Sequence, residues 1–427
     1  MYMYQHLRDG ATKYYYTTRY PRCGFMQDRK FSMLIHISHT DLDGRTCTSM
    51  TNTFLRKLYN TETRNPIFVH TRNIRASGRN TVDEDIVNTF LKVIDNSTMI
   101  NTTKIVLLIT DLGQVSVNDI RRSLREKNPK MEESLFSIVV IDHHHSEGIE
   151  LATNPQDRVW VQPGYSTTYL YHQFLLANTI DDRAYIYWKH KEIMDVIVRA
   201  VDDHDIGRIY TGWNNTVDIK TTPLSFRLGL YFNNCITNRV ITKFDSMLSY
   251  IVYTGDTDYT IQYNYWEIAD SNRIMDHIVD HMLYNYRGFL DAIRSEYNAL
   301  LQNYNRFIFG LEKYASNYSY DLVRDALGID KDVNPKLNVF VDDPDNPIKG
   351  FTHICSKIGA SYPDVLLIGV FPQRMSIEFR CAHVEAGKND CYMIAKRNGG
   401  GGHLKASGCP ITEDKLHTIC PWMKRGE

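Results

Sequence analysis

The 427-residue chain carries 49 Lys and Arg against 50 Asp and Glu, a formal net charge of −1, and 43% of it is hydrophobic. That is enough chain for two ordinary soluble domains, but it lacks the basic excess of a protein that coats long nucleic acid, so a polyanion must be held at a local site. No apolar run reaches the roughly 20 residues of a membrane span, Met1–Asp9 is too polar for a signal-peptide core, and the eight cysteines form no CxxC pair, which predicts a reducing, cytoplasmic setting and buried free thiols.

Residues 1–30, rich in Tyr and Arg without a clear period, read as an extension. Tyr14, Tyr15 and Tyr16 beside Arg19 and Arg22 could stack on bases, although a packing arm explains them as well. The apolar run Phe31–Ile37 predicts a buried strand leading into His39-Thr-Asp-Leu-Asp-Gly44, with a helix over Arg45–Tyr59, a strand over Pro66–His70 and a helix over Asp83–Ile94. Lys104–Thr110 is a second buried run and ends on Asp111. Ser116 then opens a helix, with Asp119 three residues on as in a capping box. Phe136–Ile141 is the third run and ends on Asp142-His-His-His145. Continuous apolar strands alternating with helices predict a parallel sheet covered on both faces.

From Tyr165 the pattern turns helical, and three- and four-residue apolar steps between about 265 and 315 mark a long amphipathic helix or pair. After the turn cluster Asp342–Pro347, strands are expected at Val365–Val370 and Met375–Arg380, then a helix and the run Gly399–Gly402 before His403. The fold class is therefore α/β, with a parallel-sheet domain, a helical connector and a smaller C-terminal α/β domain. The predicted boundaries are 1–30, 31–210, 211–332 and 333–427.

Asp41 with Asp43, Asp111, and Asp142-His143-His144 all follow predicted strands. In an open parallel sheet the carboxyl ends of strands converge where ligands bind. The Asp41-Leu-Asp43 spacing lets one loop present two carboxylates to neighbouring metal ions. Mixed carboxylate and imidazole donors suit Mn(II) or Fe(II) better than Mg(II), and paired metals drive in-line phosphoryl displacement by an activated water. Each cluster also has a plainer reading: Asp111 as a helix N-cap, His39 as a structural histidine, and the Asp-His run as a solvated turn.

Ser38-His-Thr-Asp-Leu-Asp-Gly44, Ile109-Thr-Asp-Leu112, Ile141-Asp-His-His144 and Gly399-Gly-Gly-Gly-His-Leu-Lys-Ala-Ser-Gly408 together resemble, in order, the motifs of the DHH phosphoesterase superfamily with its C-terminal DHH-associated domain. Within it the chain looks most like bacterial oligoribonucleases of the nanoRNase B kind. The resemblance implies two divalent metal ions, expected as Mn(II), in a cleft between the two domains. His39 and Asp41 would hold one ion and Asp43 the other, with Asp111 bridging and His143 joining the second. The implied catalytic pair is His144, a donor beside the scissile phosphate, and Asp142, which orients the histidines as carboxylates do for ligating imidazoles.

A further acidic ligand is expected in Val198-Arg-Ala-Val-Asp-Asp-His-Asp205; it is assigned to Asp202, with Asp203 and Asp205 as alternatives. Ser166, in Tyr165-Ser-Thr-Thr-Tyr169, resembles the family's hydroxyl-rich helix start and reads equally as an N-cap. Gly400, Gly401, Gly402 and His403 would form the substrate loop, since glycines let backbone N–H groups approach a phosphate; a glycine run is also a common flexible turn. The family's phosphate-gripping arginine is displaced to Arg380, beside Glu378. Asp276-His277 and Asp280-His281 have metal-like spacing on a helix but no third ligand, which favours a solvated face. The implied reaction is exonucleolytic hydrolysis of short oligoribonucleotides to nucleoside monophosphates. Cyclic-dinucleotide phosphodiesterase and 3′-phosphoadenosine 5′-phosphate phosphatase are the related alternatives, and a catalytically inactive nucleotide-binding protein is the non-enzymatic one. No membrane partner is expected.

Overall fold

The computed structural model describes residues 33–55, 68–75, 79–95, 104–113, 115–129, 136–144, 154–178, 191–206, 223–254, 283, 285–314, 320–332, 336–342, 348, 350–362, 365–382, 384 and 390–421. The extension 1–30, His145 and the Asp276–His281 pairs lie outside them. The described residues fall into two compact units. One holds those up to Ile206 together with Leu224–Leu290, and the other holds Pro223 and those from Asp291 on. The helical stretch 211–332 thus divides between the two units.

The first unit is built on β1 (Met33–His39), α1 (Leu42–Met50), β2 (Phe68–Ile74), α2 (Arg79–Asp95), β3 (Ile105–Thr110), α3 (Val117–Lys127), β4 (Phe136–Asp142) and β5 (Arg158–Val161). Then follow α4 (Thr167–Asn178), α5 (Lys191–Asp205), α6 (Leu224–Thr237) and α7 (Thr242–Thr254). The five strands are all parallel, in the order β2-β1-β3-β4-β5. The three predicted apolar runs are its central strands. Every residue of β3 is buried, as a sheet covered on both faces requires. Ile35, Ile37, Leu107, Ile109, Ile138 and Val140 pack in one core with Ile86, Phe90, Ile120 and Leu124 of α2 and α3. Ser116 caps α3, accepting from Asp119 N as the sequence predicts. The strand at 158–161 is not legible in the sequence, because four residues carry too little pattern.

Helix α1 starts before the predicted Arg45–Tyr59, whose last four residues lie outside the described ones. It begins at Leu42, capped by Asp41, and widens into a π-helical turn at Thr51–Leu55. Such turns often mark functional sites.

The second unit contains α8 (Phe289–Tyr314, which begins at the end of the first), α9 (Tyr320–Leu327), β6 (Leu337–Val341), α10 (Phe351–Ser361), β7 (Leu366–Phe371), β8 (Ser376–Arg380), α11 (Cys391–Arg397), β9 (Gly401–Gly402), β10 (Ala406–Pro410) and α12 (Glu413–Ile419). Its mixed sheet runs β6-β7-β8-β10-β9, with only the β6–β7 pair parallel. Its core joins Leu366, Ile368, Ile377 and Phe379 to Ile394, Leu416 and Ile419.

Candidate metal centre

In the strand order 2-1-3-4-5 the chain reverses direction of winding between β1 and β3, and in such sheets ligands bind outside the carboxyl ends at that switch point. Ser38 and Thr110 are register partners on the last rung of β1 and β3, and Thr110 pairs with Ile141 of β4. His39–Asp43, Asp111 and Asp142–His144 therefore leave the sheet side by side.

The first loop is folded tightly on itself. Asp41 Oδ1 accepts from Gly44 N at 2.9 Å, and Asp41 Oδ2 lies 2.6 Å from His39 Nδ1. Asn73, at the end of β2, donates to His39 O at 2.6 Å. A Cβ on Gly44 would sit 2.5 Å from His39 O and 2.7 Å from His39 N, so the close approach of helix and loop requires glycine. Asp43 is buried in the first turn of α1, and its two oxygens accept from Thr167 N and Thr168 N, each at 2.7 Å. The first turn of α4 thereby meets an anion, where the helix dipole favours one.

Asp111 has a left-handed backbone, φ +58°, a conformation that costs a non-glycine residue about 1–3 kcal/mol and concentrates at functional sites. Its N–H reaches Ile141 O at 3.2 Å and its Oδ1 accepts from Thr167 Oγ1 at 3.3 Å. Its Oδ2 is buried and has no hydrogen-bond donor. A buried polar atom left this way calls for a cation or another partner.

Asp142 is fully buried and acts as the hub of the neighbouring loops. Its Oδ2 accepts from Leu112 N and Gly113 N, and its Oδ1 from His143 N, His144 N and, at 2.6 Å, His144 Nδ1. His143 is buried, with Nε2 3.2 Å from Asp111 Oδ1 and 3.7 Å from Asp43 Oδ2. Its Nδ1 lies 3.4 Å from Asp205 Oδ2. His144 keeps 26% of its side chain exposed and packs edge-on against His143 at 4.5 Å.

The structure places Asp205, not Asp202, beside these ligands. Asp202 Oδ1 accepts from Ser166 N in a very short hydrogen bond, so this carboxylate caps the start of α4 together with Ser166, whose Oγ accepts from Tyr169 N. Residues 202 and 205 share one face of α5, and only the end of the helix reaches His143. Among the described residues of the first unit, two groups converge well enough to hold a metal ion: His39, Asp41 and Asp111 form one, and Asp43, His143 and Asp205 the other. A third, Asp111 with Asp142 and His144, overlaps them, but both Asp142 oxygens are already committed to N–H donors.

The electrostatics show the same convergence. Burial, then Asp41, Asp43, Asp205 and Asp142, pushes the Asp111 carboxyl well above its usual range. Burial with Asp43 and Asp41 does the same to Asp205, and burial raises Asp43 in spite of His143. Burial would also raise Asp41 and Asp142, but His39 holds the first below its ordinary value and His144 the second. Burial would lower His39, and Asp41 outweighs it and raises it. Carboxylates crowded to this degree are what a divalent cation neutralises.

In the second unit the predicted substrate residues lie on the β9–β10 hairpin and on β8, which pairs with β10. Gly399 N and Gly400 N donate to Lys396 O and Ala395 O, ending α11. Gly401 and Gly402 then pair with Gly408 and Ser407. A Cβ on Gly400 would lie 2.0 Å from Gly408 O, which is why this strand contains glycine. His403 sits in the turn, its N–H donating to Ala406 O at 2.7 Å. Arg380 is 17% exposed and tied down: it donates to Phe379 O, Ser407 O, Thr352 Oγ1 and Glu378 Oε2. Glu378 is paired on its other oxygen with Arg374 at 2.9 Å, so two cations balance its charge.

Sequence reading missed the α4 amides that hold Asp43, and Asn73. The run Ser166-Thr-Thr168 was the local signal for the amides.

No family model and no curated protein sequence matches the chain. Among solved structures it is similar to a pGpG-specific phosphodiesterase from Vibrio cholerae (12% identity, 91% of this chain and 96% of that one, TM-score 0.33). It is also similar to exonuclease RecJ bound to manganese (13%, 95% and 94%, TM-score 0.39). A third match is the DHH domain of a protein described as a member of a ribosomal-protein family (15%, 93% and 87%, TM-score 0.46). The last bears the name of the superfamily that the motifs resemble. At TM-scores below 0.5, none of the three bears on what this chain does.

Proposed function

We propose that this chain is a metal-dependent phosphoesterase of the DHH type that hydrolyses short oligoribonucleotides to nucleoside monophosphates. The buried Asp111 Oδ2 without a donor, between two convergent ligand groups, is the observation that carries this reading. In it, His39 and Asp41 hold one divalent ion, Asp43, His143 and Asp205 hold the other, and Asp111 lies between. Divalent ions in such a site, with Mn(II) the favoured choice for mixed N and O donors, supply Lewis-acid charge and ease the deprotonation of water for attack on phosphorus.

The chain's own residues do the rest. The ionised Asp142 can only accept, so His144 Nδ1 is the donor between them, and proton transfer at this residue runs through Nε2. Amides of α4 fix Asp43. Gly400–His403 and Arg380 of the second unit belong to the proposal as substrate contacts, and the near-neutral charge favours short substrates over long polymers. A reducing cytoplasmic location fits the seven described cysteines, all of them buried thiols. No helix among the described residues is long and apolar enough to cross a membrane.

The test is hydrolysis of an end-labelled RNA pentamer with Mn(II) by wild type and Asp111→Ala, beside a cyclic dinucleotide and a 24-mer. Stepwise loss of mononucleotides from the pentamer, abolished by Asp111→Ala, is the expected result. Turnover of the cyclic dinucleotide alone would reassign the substrate. Bound metal with no turnover of any substrate would leave a nucleotide-binding protein without catalysis.

A further inference from the structure

Beneath Asp111, five buried side chains from four elements form a continuous chain of hydrogen bonds. Tyr171 Oη on α4 lies 2.7 Å from Thr51 Oγ1 in the π turn, and Thr51 Oγ1 lies 2.7 Å from His36 Nδ1 on β1. His36 Nε2 lies 2.8 Å from Thr110 Oγ1 on β3, and Thr110 Oγ1 lies 2.7 Å from Ser38 Oγ. Ser38 Oγ closes the chain at 3.0 Å on the Thr110 carbonyl, whose peptide leads into Asp111. All five residues are fully buried.

One assignment of the protons satisfies every link. In it the Ser38 hydroxyl gives its one proton to Thr110 O, which can only accept. Thr110 must then donate to Ser38, which leaves its oxygen only as an acceptor for His36, so Nε2 carries the proton. Burial pushes His36 down to about 3, which keeps the ring neutral with Nδ1 as an acceptor. Thr51 therefore donates to Nδ1 in preference to the Cys47 carbonyl at 3.2 Å, and Tyr171 donates to Thr51. The chain runs one way, from Tyr171 to the peptide before Asp111.

We infer that His36 is a positioning residue for the metal centre, the middle of a one-way donor chain that holds the Thr110 carbonyl and so keeps the Asp111 carboxylate aimed between the two ligand groups. This rests on the proposed metal reading for its purpose, though not for its geometry. Asp111 needs such support, because its left-handed backbone has no glycine to relax it; the Thr110–Asp111 peptide is held by Ser38 on its carbonyl and by Ile141 O on its N–H. A hydrophobic residue at 36 could fill the space but would not join the donor in the π turn to the acceptor on β3.

The experiment uses the full chain with 15N-labelled histidine. In the metal-free protein, His36 should show a pyrrole-type Nε2 and a pyridine-type Nδ1; the reverse tautomer, or an imidazolium, overturns the chain. Calorimetric Mn(II) titration should then show affinity lowered about tenfold or more in His36→Phe, the range for removing a residue that orients a ligand. His36→Gln, which can still donate to Thr110, should retain more of the affinity than His36→Phe. If His36→Phe loses stability but binds Mn(II) like wild type, the histidine is a packing residue only and the inference is wrong. Ser38→Ala, which removes only the terminal donor, serves should His36→Phe fail to fold, and wild-type affinity in it overturns the inference as well. If wild type itself binds no Mn(II), the metal reading fails, and the tautomer result still decides the direction of the chain.

Discussion

Replacing Asp111 with Asn should stabilise the metal-free protein while removing its response to metal. The asparagine keeps an oxygen for the Thr167 hydroxyl and tolerates the left-handed backbone better than most residues, so the substitution removes little besides the charge. Facing ligand atoms of Asp41 and Asp111 lie within 4.8 Å. Two like charges at that distance repel by about 3–4 kcal/mol at an effective dielectric near 20. Protonating Asp111 relieves the repulsion, but holding a proton at about pH 7 on a group whose unfolded value is near 3.9 costs at most about 4 kcal/mol. The expected gain is therefore about 2–4 kcal/mol near neutral pH. The sign follows from the direction of the shift. The folded value is raised, so below the unfolded value both states are protonated and the variant gains nothing. As pH rises above about 4, the wild type loses stability relative to the variant until the folded group ionises. Urea unfolding of chelator-treated protein at about pH 3.5 and pH 8, with and without Mn(II), measures both effects. A variant no more stable than wild type at the higher pH, or one that Mn(II) stabilises as strongly as wild type, would refute the reasoning.

Asp142→Asn should cost about 2–6 kcal/mol, because an amide nitrogen facing Leu112 N and Gly113 N orphans two buried donors at about 1–3 kcal/mol each. The urea midpoint should fall with an unchanged slope, and a loss under about 1 kcal/mol would contradict the hub role. Gly400→Ala should open the β9–β10 pairing, since its Cβ would lie 2.0 Å from Gly408 O and 2.6 Å from Cys409 Cα, which no rotamer relieves. Hydrogen exchange at Gly401, Gly402 and Ser407 should accelerate in this variant, and unchanged protection there would count against the close approach.

Much of the first unit was legible because its signals are local. A strand buried on both faces must be apolar throughout, so Met33–Ile37, Ile105–Ile109 and Phe136–Ile141 announce themselves. Polar residues that end such runs must lie at the sheet edge, which brings Asp41, Asp111 and Asp142 together on sequence grounds alone. A cap such as Ser116 is equally local, because it acts on an amide three residues away.

Tertiary structure alone decided what each polar atom does, because a lone pair is satisfied by whichever donor arrives from elsewhere in the chain. Asp202 and Asp205 are equivalent on a helical wheel; contact with Ser166 made one a cap, and proximity to His143 made the other a candidate ligand. Arg380 lies beside Glu378 in sequence, yet only the structure adds Thr352 and two carbonyls to its partners. His36 sits in an apolar run with no motif around it. Its two hydroxyl partners lie 15 and 74 residues away, and only the parallel pairing of β1 with β3 and the turn at Thr51 brings them to its ring. Composition and periodicity determine which segments are buried; the packing of those segments determines where their remaining hydrogen bonds go.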